Sequence, residues 1–408
     1  MTESELIYDK LCEITGPYRE YSPVAAHRIY GSYHFEKFTK VDAWRNTLIR
    51  FEEFLIPASL AGKKVLDFGS CLGSLTFESI RRGACQGIGF EFNRDRIDVS
   101  NRLAKYLQID DKLKFIQMDV DAQDPQAFID IYGQADIVFC CALDKYINKE
   151  KLYRFIASVA SDICYFETNS QIKQEVFTQL MHENGFELVI GIGSSQSNKD
   201  PYRYSYILQK KPVVINEKKG VSCEIDNQMV PVNNIVYRIH DHVYIKYSDL
   251  IYNSIKKLYE KVKEIKYVPK MRFHQPFIVT PFYQKNLFKY QATNEEKVMI
   301  KAQLIDCVRQ LNKTGIAHRD LHIKNAYFDD NLLQIGDWEM ACENPCKLHE
   351  SYDLTGLLKG VSGYKYQMEG KTQTFVFTHH VLLDNCLSFY RYLDGNLKLE
   401  DFVGGGGT

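Results

Sequence analysis

The chain has 408 residues, 45% of them hydrophobic and 25% charged, with a formal net charge of −1. That length suits two or three domains with separate cores. Near-neutrality at a pI of about 6.8 excludes a polycation built for nucleic acid, and 13% aromatic residues exclude a disordered chain.

The N-terminus, MTESELIYDK, has neither the basic nor the apolar segment of a signal peptide. No apolar run nears the ~18 residues of a membrane helix. Eleven cysteines, an odd number with no CxxC pair, read as reduced thiols of a cytoplasmic protein. Cys342 and Cys346 lack a second ligand pair and read as structural. The aromatic stretch RIYGSYHFEKFTKVDAWRN reads as a helix packed on a sheet, or as a lid over a cofactor through Tyr30, His34 and Arg45.

From Lys63 the pattern becomes strand, turn, helix, strand. An apolar run, Val65–Phe68, enters a turn with Gly69 and Gly73. An amphipathic stretch with Leu75, Phe77 and Ile80 follows, then a second apolar run ending at Glu91. Further strands are predicted at Lys114–Met118, ending at Asp119, then at Asp136–Cys141 and Asp162–Glu167. A helix through Met181 and the pair FELVIGIG and RYSYILQKK complete about seven strands. The predicted fold is α/β, a doubly wound Rossmann-like sheet. Glycines suit a turn where backbone passes close to a ligand. A carboxylate after the second strand suits two ribose hydroxyls. The turn is GxxxG and not GxGxxG, which disfavours a dinucleotide site.

On these residues the segment of about 40–210 resembles the class I S-adenosylmethionine (SAM)-dependent methyltransferases. The hallmark is VLDFGSCLG. The resemblance implies that Asp67 and the turn through Gly69, Ser70 and Gly73 face the methionine portion. It also implies that Glu91 holds the ribose and Asp119 the adenine amino group. Cys71 replaces the middle glycine of that family's turn and disfavours positive φ there, which predicts a tighter turn. CCALDKYINK, after the fourth strand, lacks the signature of amino-group methylation.

The charged stretch KKPVVINEKK marks the join, giving domains 1–211 and 212–408. The second reads as an α+β bilobal, protein-kinase-like domain, with an N-lobe over about 212–283 and a C-lobe over about 284–408. Residues 316–341 read IAHRDLHIKNAYFDDNLLQIGDWEMA. Phosphoryl transfer needs a carboxylate to orient the attacking hydroxyl, for which Asp320 is the candidate catalytic residue. It also needs oxygen ligands for Mg²⁺, for which Asn325 and Asp337 are the candidates. His322 stands where protein kinases have lysine, and a strand-like hairpin separates Asn325 from Asp337. Upstream, NIVYRIHDHVYIKY reads as a hairpin with Lys246 at the ATP-binding position. A helix over Leu250–Ile265 offers Glu260 or Glu264 as its partner, and Pro276–Tyr283 reads as the strand into the hinge. Gly220 is the only glycine before Lys246 in this region, so no Gly-rich loop covers the phosphates. The motif set resembles aminoglycoside, choline and lipopolysaccharide kinases, in which SYDLTGLL would be a bracing helix with Asp353.

The order methyltransferase then kinase resembles the bifunctional enzymes that terminate polymannose O-antigen chains in Gram-negative bacteria. The resemblance implies phosphorylation of a terminal sugar hydroxyl with ATP and Mg²⁺, then methylation by SAM. It further implies a glycan or small-molecule acceptor and a polysaccharide-assembly glycosyltransferase as partner. The expected location is cytoplasmic, peripheral at the inner membrane. Those enzymes continue into a coiled coil and a membrane-targeting segment, and the GGGGT end of this sequence reads as the catalytic portion of a longer chain. Two other readings stand beside it: activities on an unrelated small molecule or RNA, and a kinase-like module regulating the methyltransferase.

Overall fold

The computed structural model describes residues 1–15, 29–169, 172–194, 203–225, 228–318, 321 and 323–343. The chain divides into two units, Met1–Val213 and Val214–Thr408.

The first unit opens with α1 (Glu3–Thr15), whose Ile7 and Leu11 are buried. The aromatic stretch after it is not a helix. It forms four short strands, β1 (Ile29–Gly31), β2 (Tyr33–Phe35), β3 (Phe38–Lys40) and β4 (Ala43–Arg45). β1 pairs parallel with β4, and β2 and β3 make a hairpin. Tyrosine, phenylalanine, valine and threonine favour extended backbone, and helix forms only at α2 (Thr47–Glu53), where the Asn46 side chain accepts from the Ile49 amide.

Beyond α2 run β5 (Lys64–Phe68), α3 (Ser74–Arg81), β6 (Gln86–Glu91), α4 (Arg94–Tyr106), β7 (Leu113–Gln117), α5 (Pro125–Tyr132), β8 (Ala135–Cys141), α6 (Lys149–Val159), β9 (Ala160–Glu167), α7 (Gln174–Glu183), β10 (Leu188–Ser194) and β11 (Tyr204–Gln209). They build one seven-stranded sheet in the order β10-β11-β9-β8-β5-β6-β7. The neighbours from β9 to β7 pair parallel, and β11 runs antiparallel to both β9 and β10. Burial on both faces explains why β8 and β9 read as nearly continuous apolar runs. On one face Phe68, Phe90, Phe128 and Phe155 pack ring on ring, with centroids 5.1–5.6 Å apart. Strand order reverses beside β5, which opens a crevice at the carboxyl ends of β5 and β8.

In the second unit β12 (Val213–Ile225), β13 (Gln228–Ile239), β14 (His242–Lys246), α8 (Asp249–Val262), β15 (Arg272–His274) and β16 (Phe277–Pro281) come first. Their sheet has the order β12-β13-β14-β16-β15. The β13–β14 hairpin turns at His240–Asp241, with Ile239 opposite His242. Helix α8 lays Ile251, Ile255, Leu258 and Val262 into the core, together with Leu304, Val308 and Leu311 of α9 (Asn294–Lys313). β17 (Ile316–Ala317), β18 (Ala326–Asp329), β19 (Leu332–Ile335) and β20 (Cys342–Glu343) follow. β18 and β19 form the expected hairpin through Asp330 and Asn331, both at positive φ, the turn geometry that matches strand twist. Asp320, His322 and Asp353 lie outside the described residues, as does the helix expected at SYDLTGLL. No described helix is long and apolar enough to cross a membrane.

Candidate functional site

The first candidate site is the turn from β5 into α3, at the carboxyl ends of β5 and β6. Gly69 and Gly73 take φ of +70° and +74°. The Gly69 and Ser70 amides donate to Phe90 O at 2.8 and 3.0 Å, pinning the turn to β6. A Cβ at Gly73 would lie 2.2 Å from the Phe115 ring. Gly73→Ala is therefore expected to cost about 2–3 kcal/mol, combining left-handed backbone strain with overpacking. Thermal or denaturant unfolding checks it.

Cys71 departs from expectation, because it adopts φ +54° despite its Cβ. Its amide donates to Glu91 Oε2 at 2.9 Å. A charge-assisted hydrogen bond of this kind offsets the ~1–2 kcal/mol of left-handed strain. The turn is thus held open by a carboxylate 20 residues away in sequence, not tightened by the missing glycine.

Glu91 is buried, and its other oxygen accepts from the Asn93 amide at 3.0 Å and from Arg96 at 3.3 Å. A carboxylate has about four acceptor sites, so capacity remains for a further donor. The buried Ser70 hydroxyl has no hydrogen-bond partner among the described residues. This orphaned polar atom beside a glycine turn and a carboxylate fits the SAM site that the motif implies. Asp119 stands one strand further on, beyond β7, with its side chain accepting from the Asp121 amide at 3.1 Å. It is exposed.

Asp67, the penultimate residue of β5, is buried and accepts from the Thr76 hydroxyl at 2.8 Å. Burial pushes its carboxyl up to about 7, against the opposing pull of Thr76 and Arg50. The sign has a consequence for an ammonium-bearing ligand. Below pH 7 the neutral acid offers a cation no charge, and above it the carboxylate does. Affinity for S-adenosylhomocysteine (SAH) is expected to tighten as pH rises through about 7, and Asp67→Asn is expected to flatten that rise. Titration calorimetry between pH 6 and pH 8.5 checks both.

Two strands across the sheet from Asp67 lies a group that the motifs did not reveal. Glu167, at the end of β9, is buried and accepts from Arg50 and Arg203, each at 3.2 Å. Burial alone would raise its carboxyl. The Arg50, Arg45 and Arg203 charges outweigh that, and the net direction is down. No local spacing could reveal these partners, since Arg50 is 117 residues from Glu167. Of the three candidates in the aromatic stretch, Arg45 belongs to this cluster. Tyr30 stacks edge-on with Trp44, and His34 bonds the Ser32 hydroxyl at 3.0 Å. That stretch does touch the turn: the Tyr33 hydroxyl donates to Leu72 O at 2.6 Å.

The second candidate site belongs to the second unit. A cavity of about 530 Å³ lies between its five-stranded sheet and the β18–β19 hairpin, a volume ordinary for a small-ligand site. Its apolar wall includes Val236, Ile245, Met271 and Ile278, and its far side Asn325 and Asp337. The hairpin explains that convergence: Asn325 precedes β18, Asp337 follows β19, and the Gly336 amide donates to Asn325 O at 2.8 Å. Asp337 takes φ +64°, and Lys218 donates to its Oδ2 at 2.7 Å. Lys218 also reaches Glu339, which is buried and accepts from the Tyr247 hydroxyl at 3.4 Å. Burial and the adjacent Asp337 charge hold Glu339 well above the usual carboxylate range. Burial pulls the Lys218 ammonium down, but the two acids overcome that and raise it. Mg²⁺ takes few protein ligands beside substrate phosphates, and an amide with a carboxylate on one cavity wall fits that donor set.

Two expectations fail here. Lys246 is exposed at the end of β14 and does not line the cavity. Ile245, opposite Val236 and Ile278, does. Successive strand residues face opposite sides, so Lys246 faces away. Nor does α8 supply its partner: Glu260 pairs with Lys263 at 2.7 Å in solvent, and Glu264 is exposed.

Residues 59–211 match the family model described as a methyltransferase domain. Among solved structures, the chain is similar to magnesium protoporphyrin IX methyltransferase from Synechocystis PCC 6803 with bound SAM. Identity is 19%, coverage is 51% of this chain and 96% of that one, and the TM-score is 0.35. It is also similar to the N-terminal domain of EvdMO1 in the presence of SAH and D-fucose, with 13% identity, 49% and 96% coverage and a TM-score of 0.34. For the [4+2]-cyclase SpnF the values are 14%, 52%, 98% and 0.35. No curated protein matches the sequence. Residues 59–211 thus carry a methyltransferase domain on a Rossmann-like sheet.

Proposed function

We propose that the chain is a bifunctional transferase, a SAM-dependent methyltransferase in its first unit and an ATP- and Mg²⁺-dependent phosphotransferase in its second. The methyltransferase half rests on the match over residues 59–211 together with the turn that Glu91 holds open. The observation that carries the phosphotransferase half is the hairpin that brings Asn325 and Asp337 to one cavity wall.

SAM supplies an electrophilic methyl group when bound. Glu91 would accept a ribose hydroxyl, Ser70 would offer its hydroxyl, Asp67 in its ionised form would receive the ammonium, and Asp119 would serve the adenine edge. ATP supplies the phosphoryl group. Asn325 and Asp337 hold Mg²⁺, and Asp320 orients the acceptor hydroxyl and takes its proton.

The acceptor is the terminal sugar of a surface polysaccharide, by the resemblance of domain order and motifs. A phosphate oxygen placed there by the kinase is already anionic and needs no general base for methylation. The enzyme would work at the cytoplasmic face of the inner membrane beside a polysaccharide-assembling glycosyltransferase. Candidate oligosaccharides incubated with ATP, with SAM, and with both are expected to gain about 80 Da from phosphate, then about 14 Da more from methyl. Methyl transfer that proceeds without ATP would overturn the phosphate-capping order.

A further inference from the structure

We propose that the cation holding the nucleotide phosphates is Lys218, delivered from the first strand of the five-stranded sheet, and that Glu339 positions it. The inference rests on the phosphotransferase reading and concerns which residue performs the phosphate contact. β13, β14 and β16 present Val236, Ile245 and Ile278 to the cavity in register. That parity turns Lys246 to the other face and leaves the third strand with an aliphatic side chain at the cavity wall. On β12, by contrast, a lysine does reach the cavity: Lys218 lines it together with Ile215 and Asn216. The Lys218 ammonium stands 2.7 Å from Asp337 Oδ2, beside the carboxylate assigned to the metal. A phosphate on a metal held by Asp337 would lie within reach of this ammonium.

Glu339 supplies what α8 does not. It is buried on a short helical turn, Trp338–Met340, directly after Asp337, and it grips Lys218 while Tyr247 donates to its second oxygen. Lysine side chains lose rotamer freedom on being fixed, and this carboxylate fixes Lys218 before any nucleotide arrives. Metal ligand and lysine anchor are thus two residues apart on one turn.

Nucleotide binding to the full chain separates the possibilities, read by calorimetry with adenosine and with Mg²⁺–ATP. Lys218→Met is expected to weaken Mg²⁺–ATP about 10- to 100-fold, the size of one charge-assisted hydrogen bond. Adenosine should stay within about twofold, because the apolar wall is untouched. Lys246→Met should leave both ligands unchanged, and Lys218→Arg should restore most of the triphosphate affinity. Unchanged or tighter Mg²⁺–ATP binding by Lys218→Met overturns the assignment, as does a loss confined to Lys246→Met. If Lys218→Met loses adenosine as well, Lys218→Arg decides. Recovery of ATP binding there supports a cation at this point, and failure to recover it overturns the assignment. A wild-type chain that binds neither ligand fails the phosphotransferase reading itself, a result distinct from every variant outcome.

Discussion

Asp337→Asn is expected to lower phosphotransfer by about 10³-fold while methyl transfer to a pre-phosphorylated acceptor keeps its wild-type rate. The carboxylate is the stronger of the two oxygen ligands on the cavity wall, and an amide in its place carries no charge to hold Mg²⁺ against the phosphates. The fold should survive the change. Burial is the larger cause that raises the Glu339 carboxyl and the Asp337 charge adds to it, so removing that charge eases the pairing of Glu339 with Lys218. Separate assays with labelled ATP and labelled SAM, on the same preparation, make the comparison. Equal loss of both activities would mean that the variant had unfolded or that the two activities do not belong to separate units.

Glu91→Ala is expected to weaken SAH binding by about 10- to 100-fold, because a charge-assisted hydrogen bond to the ribose is lost. It also removes the acceptor for the Cys71 amide, so the left-handed residue loses the contact that offsets its strain. Glu91→Gln keeps an acceptor for Cys71 and should recover the turn but only part of the affinity. The comparison distinguishes ligand binding from turn shape: equal affinity in the two variants would mean that turn shape contributes nothing, and wild-type affinity in Glu91→Gln would mean that the turn alone matters. Calorimetry with SAH, alongside unfolding curves for both proteins, provides the measurement.

Local signals carried most of the fold. Each parallel strand of the first unit announced itself by an apolar run broken by glycine, asparagine or aspartate, and the seven strands fell where those runs lie. The aromatic N-terminal stretch was misleading because Tyr33, Phe35 and Phe38 recur at spacings that serve a hairpin as well as a helix. At the turn, Asp67, Gly69, Gly73 and Glu91 could be read because they flank two consecutive strands. Arg50, Arg203 and Glu167 could not, since they meet only once the sheet has formed. Lys246 failed for a different reason. VYIK matches the kinase motif in letters, but strand parity depends on which face meets the cavity, and no four-residue pattern states that. The two acids at Asp337 and Glu339 were visible on either side of Trp338, although only the second-unit packing shows that both of them hold a lysine.

The two sides of the second cavity are assembled over very different stretches of chain. Asn325 and Asp337 meet across one tight hairpin, a local closure with little entropic cost, whereas Lys218 meets Asp337 across 119 residues. Contacts of that separation come late in folding and are the first lost when a domain opens partially. The wall of Asn325 and Asp337 can therefore persist in a partly open chain while the lysine has already left. On the proposed phosphotransferase reading, nucleotide affinity would measure whether the second unit is closed, and a saturating nucleotide would stabilise that unit.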